Sequence, residues 1–279
     1  MRQTMQTALD IKKPWQDKEP WPKEAAEVQF LIGMCQMELV NYVKAFEAFN
    51  SAIRINPEYA EAYYQRGLVR MRLKQSKGVQ DFNRALAINP TLYQAYLSRA
   101  AFYGMKGRYS KGIINCNEAI KLQPHSVRAY MYRGALKYHI HAFDLAIRDL
   151  TKAIDIDNTC SLAYFNRAVC YHTMKQYDKA LRDYGIVLLL GEENALKVLI
   201  NRGLMYFERK DYKNALQDFY NAVKVEPNDP KIRHTLGLCF HKLNKLEEAV
   251  KHIHWGIRSG SVFLRCLNWS WQCFYGLWT

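Results

Sequence analysis

The sequence predicts an all-α solenoid of antiparallel helix pairs, on three observations. A stop recurs every 33 to 35 residues: INP at Pro57 and Pro90, LQP at Pro124 and EPNDP at Pro227, with IDN at Asn158 and GEE at Glu192 between them. An alanine-centred amphipathic segment precedes the stops, as in FNSAIRI, FNRALAI, CNEAIKL, LTKAIDI and FYNAVKV. Small residues recur at two fixed slots within each period. A fixed period of this length marks stacked supersecondary units, each of which buries its apolar face only against its neighbours.

Seven units follow in order, starting near residues 26, 60, 93, 127, 161, 196 and 230 and ending at 259. The first helix of each carries a tiny residue (Gly33, Gly67, Ala100, Gly134, Ala168, Gly203, Gly237) and the second carries another (Ala45, Gly78, Gly112, Ala146, Ala180, Ala215, Ala249). In six of the seven units the two lie twelve apart, which sets them face to face across a close helix pair. Gly67 and Gly78 are eleven apart, so the turn near Lys74 to Lys77 is expected to be one residue tighter, within an uninterrupted array. Seven residues beyond the second slot stand Ala52, Ala85, Ala119, Ala153, Val187, Ala222 and Gly256, where the next hairpin should press in.

Arg66, Arg99, Arg133, Arg167 and Arg202 each stand just before the tiny residue of the first helix. A line of arginines suggests anion capture. However, Asp81, Asp149, Asp183 and Asp218 accompany four of them in the second helix and Asn115 the fifth, while the units lacking the arginine have Ile32 with Ala48 and Leu236 with His252. Residues that vary together in this way are expected to be internal struts: Arg66 with Asp81, Arg133 with Asp149, Arg167 with Asp183 and Arg202 with Asp218.

Composition narrows the function. The 279 residues are 49% hydrophobic and 24% charged, enough for an extended core and too apolar for a disordered chain. The formal charge of +14 is spread along every unit without a run of five basic residues, so nucleic acid is not expected as a partner. The seven cysteines are odd in number and lack C-x-x-C spacing, which points to a reducing compartment; the first residues, MRQTMQTALDIKK, have no apolar core of a secretory signal. A cytoplasmic location is the expectation. No Walker loop, G-x-G-x-x-G, H-E-x-x-H or G-x-S-x-G occurs. His139 with His141, and His252 with His254, are two apart on helices and face different ways, so no metal site is expected, and no catalytic residue, cofactor or small-molecule substrate either.

The tyrosine-rich first helix, the Gly or Ala slots, the aromatic of the second helix and the terminal proline resemble the tetratricopeptide repeat. The resemblance covers seven repeats, 234 of 279 residues. It implies a right-handed superhelical solenoid whose first helices line a concave, partner-binding groove. One row of that groove comprises Gln65, Ser98, Tyr132, Asn166 and Asn201, and beside it run Tyr64, Leu97, Met131, Phe165 and Ile200. Of the carboxylate clamp of chaperone-binding relatives only scattered pieces survive (Asn166, Asn201, Arg128, Lys197, Lys231), so a clamp-type co-chaperone is not expected. Asn166 and Asn201 resemble a short asparagine ladder, which implies a partner peptide or helix along Tyr132 to Asn201. The expected function is a non-enzymatic scaffold for protein partners. The alternatives are a subunit of a ciliary or transport assembly, or a chaperone-associated adaptor without the clamp.

Two ends flank the array. Residues 1–25 hold TMQTALDIKKP, either half of a repeat or an ordinary amphipathic helix, and the Pro-rich spacer KPWQDKEPWP. Residues 260–279 form an atypical hydrophobic tail containing SVFLRCLNWSWQCFYGLWT, expected to fold back on the last hairpin. A membrane is not expected as a partner unless this tail inserts, which Arg265, Asn268 and Gln272 oppose.

Overall fold

The computed structural model describes residues 23–75, 77–191 and 194–258, with side chains as far as 253. The proposed half-repeat before residue 23 and the tail beyond residue 258 lie outside the described residues. All regular structure among the described residues is helical, fourteen helices in consecutive packed pairs. The chain divides into two compact units, 1–124 and 125–279.

The first unit holds three hairpins: α1 (Lys23–Glu38) with α2 (Tyr42–Ile55), α3 (Ala60–Arg72) with α4 (Gly78–Ile88), and α5 (Tyr93–Met105) with α6 (Tyr109–Leu122). The second holds four: α7 (Val127–His139) with α8 (Phe143–Ile156), α9 (Ser161–Thr173) with α10 (Tyr177–Leu190), α11 (Ala195–Glu208) with α12 (Tyr212–Val225), and α13 (Pro230–Lys242) with α14 (Leu246–Arg258). Within each unit the second helix of a hairpin also packs on the first helix of the next.

The small slots act as notches. A methyl group on Gly67 would sit 2.6 Å from Phe82 Cε1 and 3.1 Å from the Gly78 carbonyl; on Gly134, 2.9 Å from Leu150 Cγ and 3.3 Å from the Ala146 carbonyl. The ring or branched chain four residues beyond the second small slot therefore fills the space left by the first. Phe49, Phe82, Leu150, Tyr184 and Phe219 occupy this place and are fully buried, each contributing about 1.5–3 kcal/mol of apolar burial. Ala52, Ala85, Ala119, Ala153, Val187 and Ala222 are also sealed from solvent.

All seven first helices end alike. The second residue after each helix is left-handed: Val40, Lys74, Gly107, His141, Lys175, Lys210 and Asn244. Its N–H bonds to the carbonyl three residues back, and the following N–H to the carbonyl five back, as in Val40 to Met37 (3.0 Å) and Asn41 to Gln36 (2.8 Å). This is the Schellman termination, which satisfies the last carbonyls and reverses the chain. Only Gly107 adopts it without steric cost, and β-branched Val40 adopts it at 64% exposure. Val40→Gly is expected to stabilise the first hairpin by about 1 kcal/mol in a thermal melt, and Gly107→Val to destabilise its own hairpin by a similar amount.

The second hairpin differs from the expected tighter turn. Lys74 keeps its left-handed place, and five residues rather than three separate α3 from α4. The missing residue is taken from the helix: α4 begins at Gly78 itself, whereas the equivalent small residue is the fourth of α2, α6, α8, α10, α12 and α14. The helix loses its first turn because the Schellman reversal and the Gly67–Gly78 approach are both spatially constrained, whereas a helix end can fray. Ser76, within this connection, lies outside the described residues.

The stops between hairpins are side-chain turns. Asn56 Oδ1 accepts from the N–H of Glu58, and Asn89 and Asp157 accept from both the N–H and the hydroxyl of Thr91 and Thr159, at 2.7–3.1 Å. An Asx residue thus imposes the turn locally. Asp229 caps α13 through the N–H groups of Lys231 and Ile232, with Pro230 as the first helical residue.

Candidate interaction surface

The repeated arginines lie inside hairpins. Arg66, Arg133, Arg167 and Arg202 each donate Nε and Nη2 to the two carboxylate oxygens of Asp81, Asp149, Asp183 and Asp218 at 2.7–3.1 Å. The four aspartates are 3–5% exposed, and bidentate pairing compensates the carboxylates for lost water. Hydrogen bonding to Asp183 and Asp218 raises the Arg167 and Arg202 pKa values, while Arg99, which meets the neutral Asn115 instead, has its pKa lowered by burial.

Four of the five arginines, Arg66, Arg99, Arg133 and Arg167, reach further than the pairing pattern indicates. Arg66, Arg99 and Arg167 donate Nη1 to Asn50, Asn83 and Thr151 on the second helix of the preceding hairpin, tying three helices together. The guanidinium groups of Arg66, Arg99, Arg133 and Arg167 stack over Tyr63, Tyr96, Tyr130 and Tyr164, three residues earlier. Arg70 and Lys137 add a second cation to Asp81 and Asp149. The sequence carried a signal for the Nη1 acceptors in the polar residue sixteen before each of these arginines, and for the stack in the recurring Tyr-x-x-Arg.

The groove residues divide. Tyr64, Gln65, Ser98 and Ile200 are partly exposed, and Tyr64 and Ser98 are joined by a hydroxyl contact of 3.4 Å. Leu97, Met131, Tyr132, Phe165, Asn166 and Asn201 are instead 0–9% exposed, which corrects the expectation that all of them line an open surface. In the second unit the first helices touch one another, α7 with α9 and α9 with α11, so side chains between them are enclosed. Phe165 packs against Tyr184 of α10 with ring centroids 6.1 Å apart, and Met131 Sδ lies 3.4 Å from Cys160 Sγ.

The two asparagines are not equivalent. Asn201 turns its amide nitrogen back to the Lys197 carbonyl at 2.8 Å. Asn166, 1% exposed, has neither its amide nitrogen nor its oxygen hydrogen-bonded. A buried carboxamide without partners costs about 1–3 kcal/mol and marks a place where something other than packing governs the residue.

Around these residues the inner helices are cross-linked by polar pairs one repeat apart. Tyr138 Oη meets Thr173 Oγ1 at 3.1 Å, Asn194 Nδ2 donates to Ser161 Oγ at 3.1 Å, and His172 Nε2 meets Glu208 Oε2 at 3.0 Å. The His172 hydrogen bond holds the Glu208 carboxyl below its usual range. His139, His234 and His252 have pKa values lowered by burial, and neighbouring His141 adds to the effect at His139. For such groups the unfolded chain binds the proton first, so their share of stability is complete above about pH 6.5 and is lost as pH falls towards the lower folded value. The melting temperature is expected to fall between pH 7.5 and 5.5, and His139→Gln with His252→Gln to flatten that slope.

Among the described residues no group of three His, Cys, Asp or Glu is arranged to hold a metal ion, and no helix is long and apolar enough to cross a membrane.

Paired helices with notched contacts and repeated polar struts define the class, an α-helical hairpin-repeat protein. Residues 41–74 match the family model described as TPR repeat, and residues 162–185 and 196–229 match models described as tetratricopeptide repeat; together with the solved structures they support the tetratricopeptide-repeat family. A tetratricopeptide repeat protein from Parabacteroides merdae is 16% identical, with a TM-score of 0.69 over 91% of this chain and 98% of that one. PilF of Pseudomonas aeruginosa is 17% identical, with a TM-score of 0.65 over 80% and 97%. YrrB, described as having an unusual peptide-binding site, is 19% identical, with a TM-score of 0.55 over 71% and 99%. At these identities the likeness is one of fold.

Proposed function

We propose that this chain is a non-enzymatic scaffold of seven tetratricopeptide repeats that holds an extended peptide or helix of a protein partner along its first helices. The observation that carries the reading is the Asn166 carboxamide, a donor and an acceptor kept buried at a cost with neither satisfied. A main-chain peptide group offers the complementary acceptor and donor. Because Asn166 is enclosed by contacts of α9 with α7 and α11, the partner enters as those helices part. Partly exposed Ile200 borders the site beside Asn201. The peptide-binding site described for YrrB belongs to that protein and supports the reading by analogy of fold. The wording AYYQRG, AYLSRA, AYMYRG and AYFNRA further resembles tetratricopeptide repeat protein 6. A cytoplasmic location is part of the reading, supported by the free thiols Cys35, Cys160, Cys170 and Cys239.

Proximity labelling with the full chain and with the Asn166→Ala, Asn201→Ala variant tests it. Loss of a defined set of neighbours at unchanged helical circular dichroism is the expected result. An unchanged set of labelled proteins would remove the site assignment.

A further inference from the structure

The last described hairpin leaves uncovered a face that α10 and α12 have covered. Tyr177, the first residue of α10, lies beneath the guanidinium of Arg209, which follows α11, at 5.3 Å from the ring centroid. Leu216, the fifth residue of α12, packs into the cluster that contains Ile232, Leu236 and Cys239 of α13. The corresponding first and fifth residues of α14 are Leu246 and Val250, and they are 56% and 64% exposed. Four residues apart, they share one helix face.

We infer that residues 261–279 of this same chain seat themselves on the Leu246–Val250 face, in the place that the first helix of a further hairpin would take. Three observations select this occupant. The segment SVFLRCLNWSWQCFYGLWT begins just beyond α14, and the connections from one hairpin to the next at the Ile55, Ile88, Ile156 and Val225 ends are four residues long, so a connection of that length after Arg258 places Phe263 at the C-terminal end of α14, from which the segment runs back towards Val250 and Leu246. Its 19 residues exceed the 13 of α14 that they must run back along. Its chemistry also matches: Phe263, Leu264, Leu267, Trp269 and Trp271 supply apolar surface for an apolar face, and Arg265 is its single charged residue. Tethering favours this occupant over a second copy, because a short linker presents it at an effective concentration on the order of millimolar.

Photocrosslinking of the full chain tests the seat. Benzoylphenylalanine replaces Val250, and in a control it replaces Val225, which ends the preceding second helix and is 61% exposed. The expected result is an adduct from position 250, within one chain, to a peptide inside 261–279, at a yield independent of protein concentration and at least five-fold above that from position 225. Adducts between copies that grow with concentration, or equal tail adducts from both positions, would overturn the proposal. A second measurement uses no new group on the face. Trp269→Ala with Trp271→Ala is expected to speed amide exchange over α14 about ten-fold and to leave α7 unchanged; unaltered exchange over α14 also overturns it.

Discussion

Arg202→Ala is expected to destabilise the second unit by about 3–5 kcal/mol, more than Arg133→Ala does, although the two arginines occupy the same slot of their hairpins. The difference lies in what each aspartate retains. Asp149, 5% exposed, is held by Arg133 and by Lys137 Nζ at 2.7 Å, so loss of the arginine leaves one cation in place. Asp218, 3% exposed, has Arg202 as its one cation among the described residues. Removing that guanidinium leaves a buried carboxylate without compensation, whereas Arg202→Met with Asp218→Leu removes both charges and should recover most of the loss. Urea denaturation monitored by amide exchange of α11 and α12 distinguishes the three. Equal losses for Arg202→Ala, Arg133→Ala and the matched double would mean that the pairs carry no net charge compensation.

Asn166→Leu is expected to act in the opposite direction, raising stability by about 1–3 kcal/mol while abolishing partner capture. The substitution is close to isosteric and deletes a donor and an acceptor that have no partners, so the unfolded chain no longer gains their hydration. Asn201→Leu is the contrasting case, because its amide already donates to the Lys197 carbonyl, and it should bring no comparable gain. A thermal melt of both variants decides. A loss of stability in Asn166→Leu would show that the amide is satisfied internally and would leave the proposed site without its carrying observation.

The regularities of the fold were legible because they are local and repeated. An Asn or Asp two residues before a Thr or Glu makes its own turn at 56, 89 and 157, and the helix reversals recur with one left-handed residue each, although only Gly107 and Asn244 advertise it by residue type. The Arg–Asp pairing could be read because both members change together from repeat to repeat: Arg99 faces Asn115, and Leu236 stands where the arginine is absent. The second cations Arg70 and Lys137 share one slot, four residues after the strut arginine, but they were missed because the other three arginine-bearing repeats fill it with Tyr103, Tyr171 and Tyr206, so the charge recurs too rarely to stand out. The short spacing between Gly67 and Gly78 was visible, but whether turn or helix gave up the residue depended on which could deform.

The sequence by itself determined the helix pairs, their order, their notches and their struts, since each rests on residue type at a fixed spacing along one or two helices. Only the tertiary structure decided which first-helix residues meet solvent. Tyr64 and Gln65 remain accessible, whereas Phe165, Asn166 and Asn201, at equivalent places in their repeats, are enclosed. That outcome depends on how closely neighbouring first helices approach, which is the summed result of many side-chain volumes packed across several hairpins and is encoded at no single position.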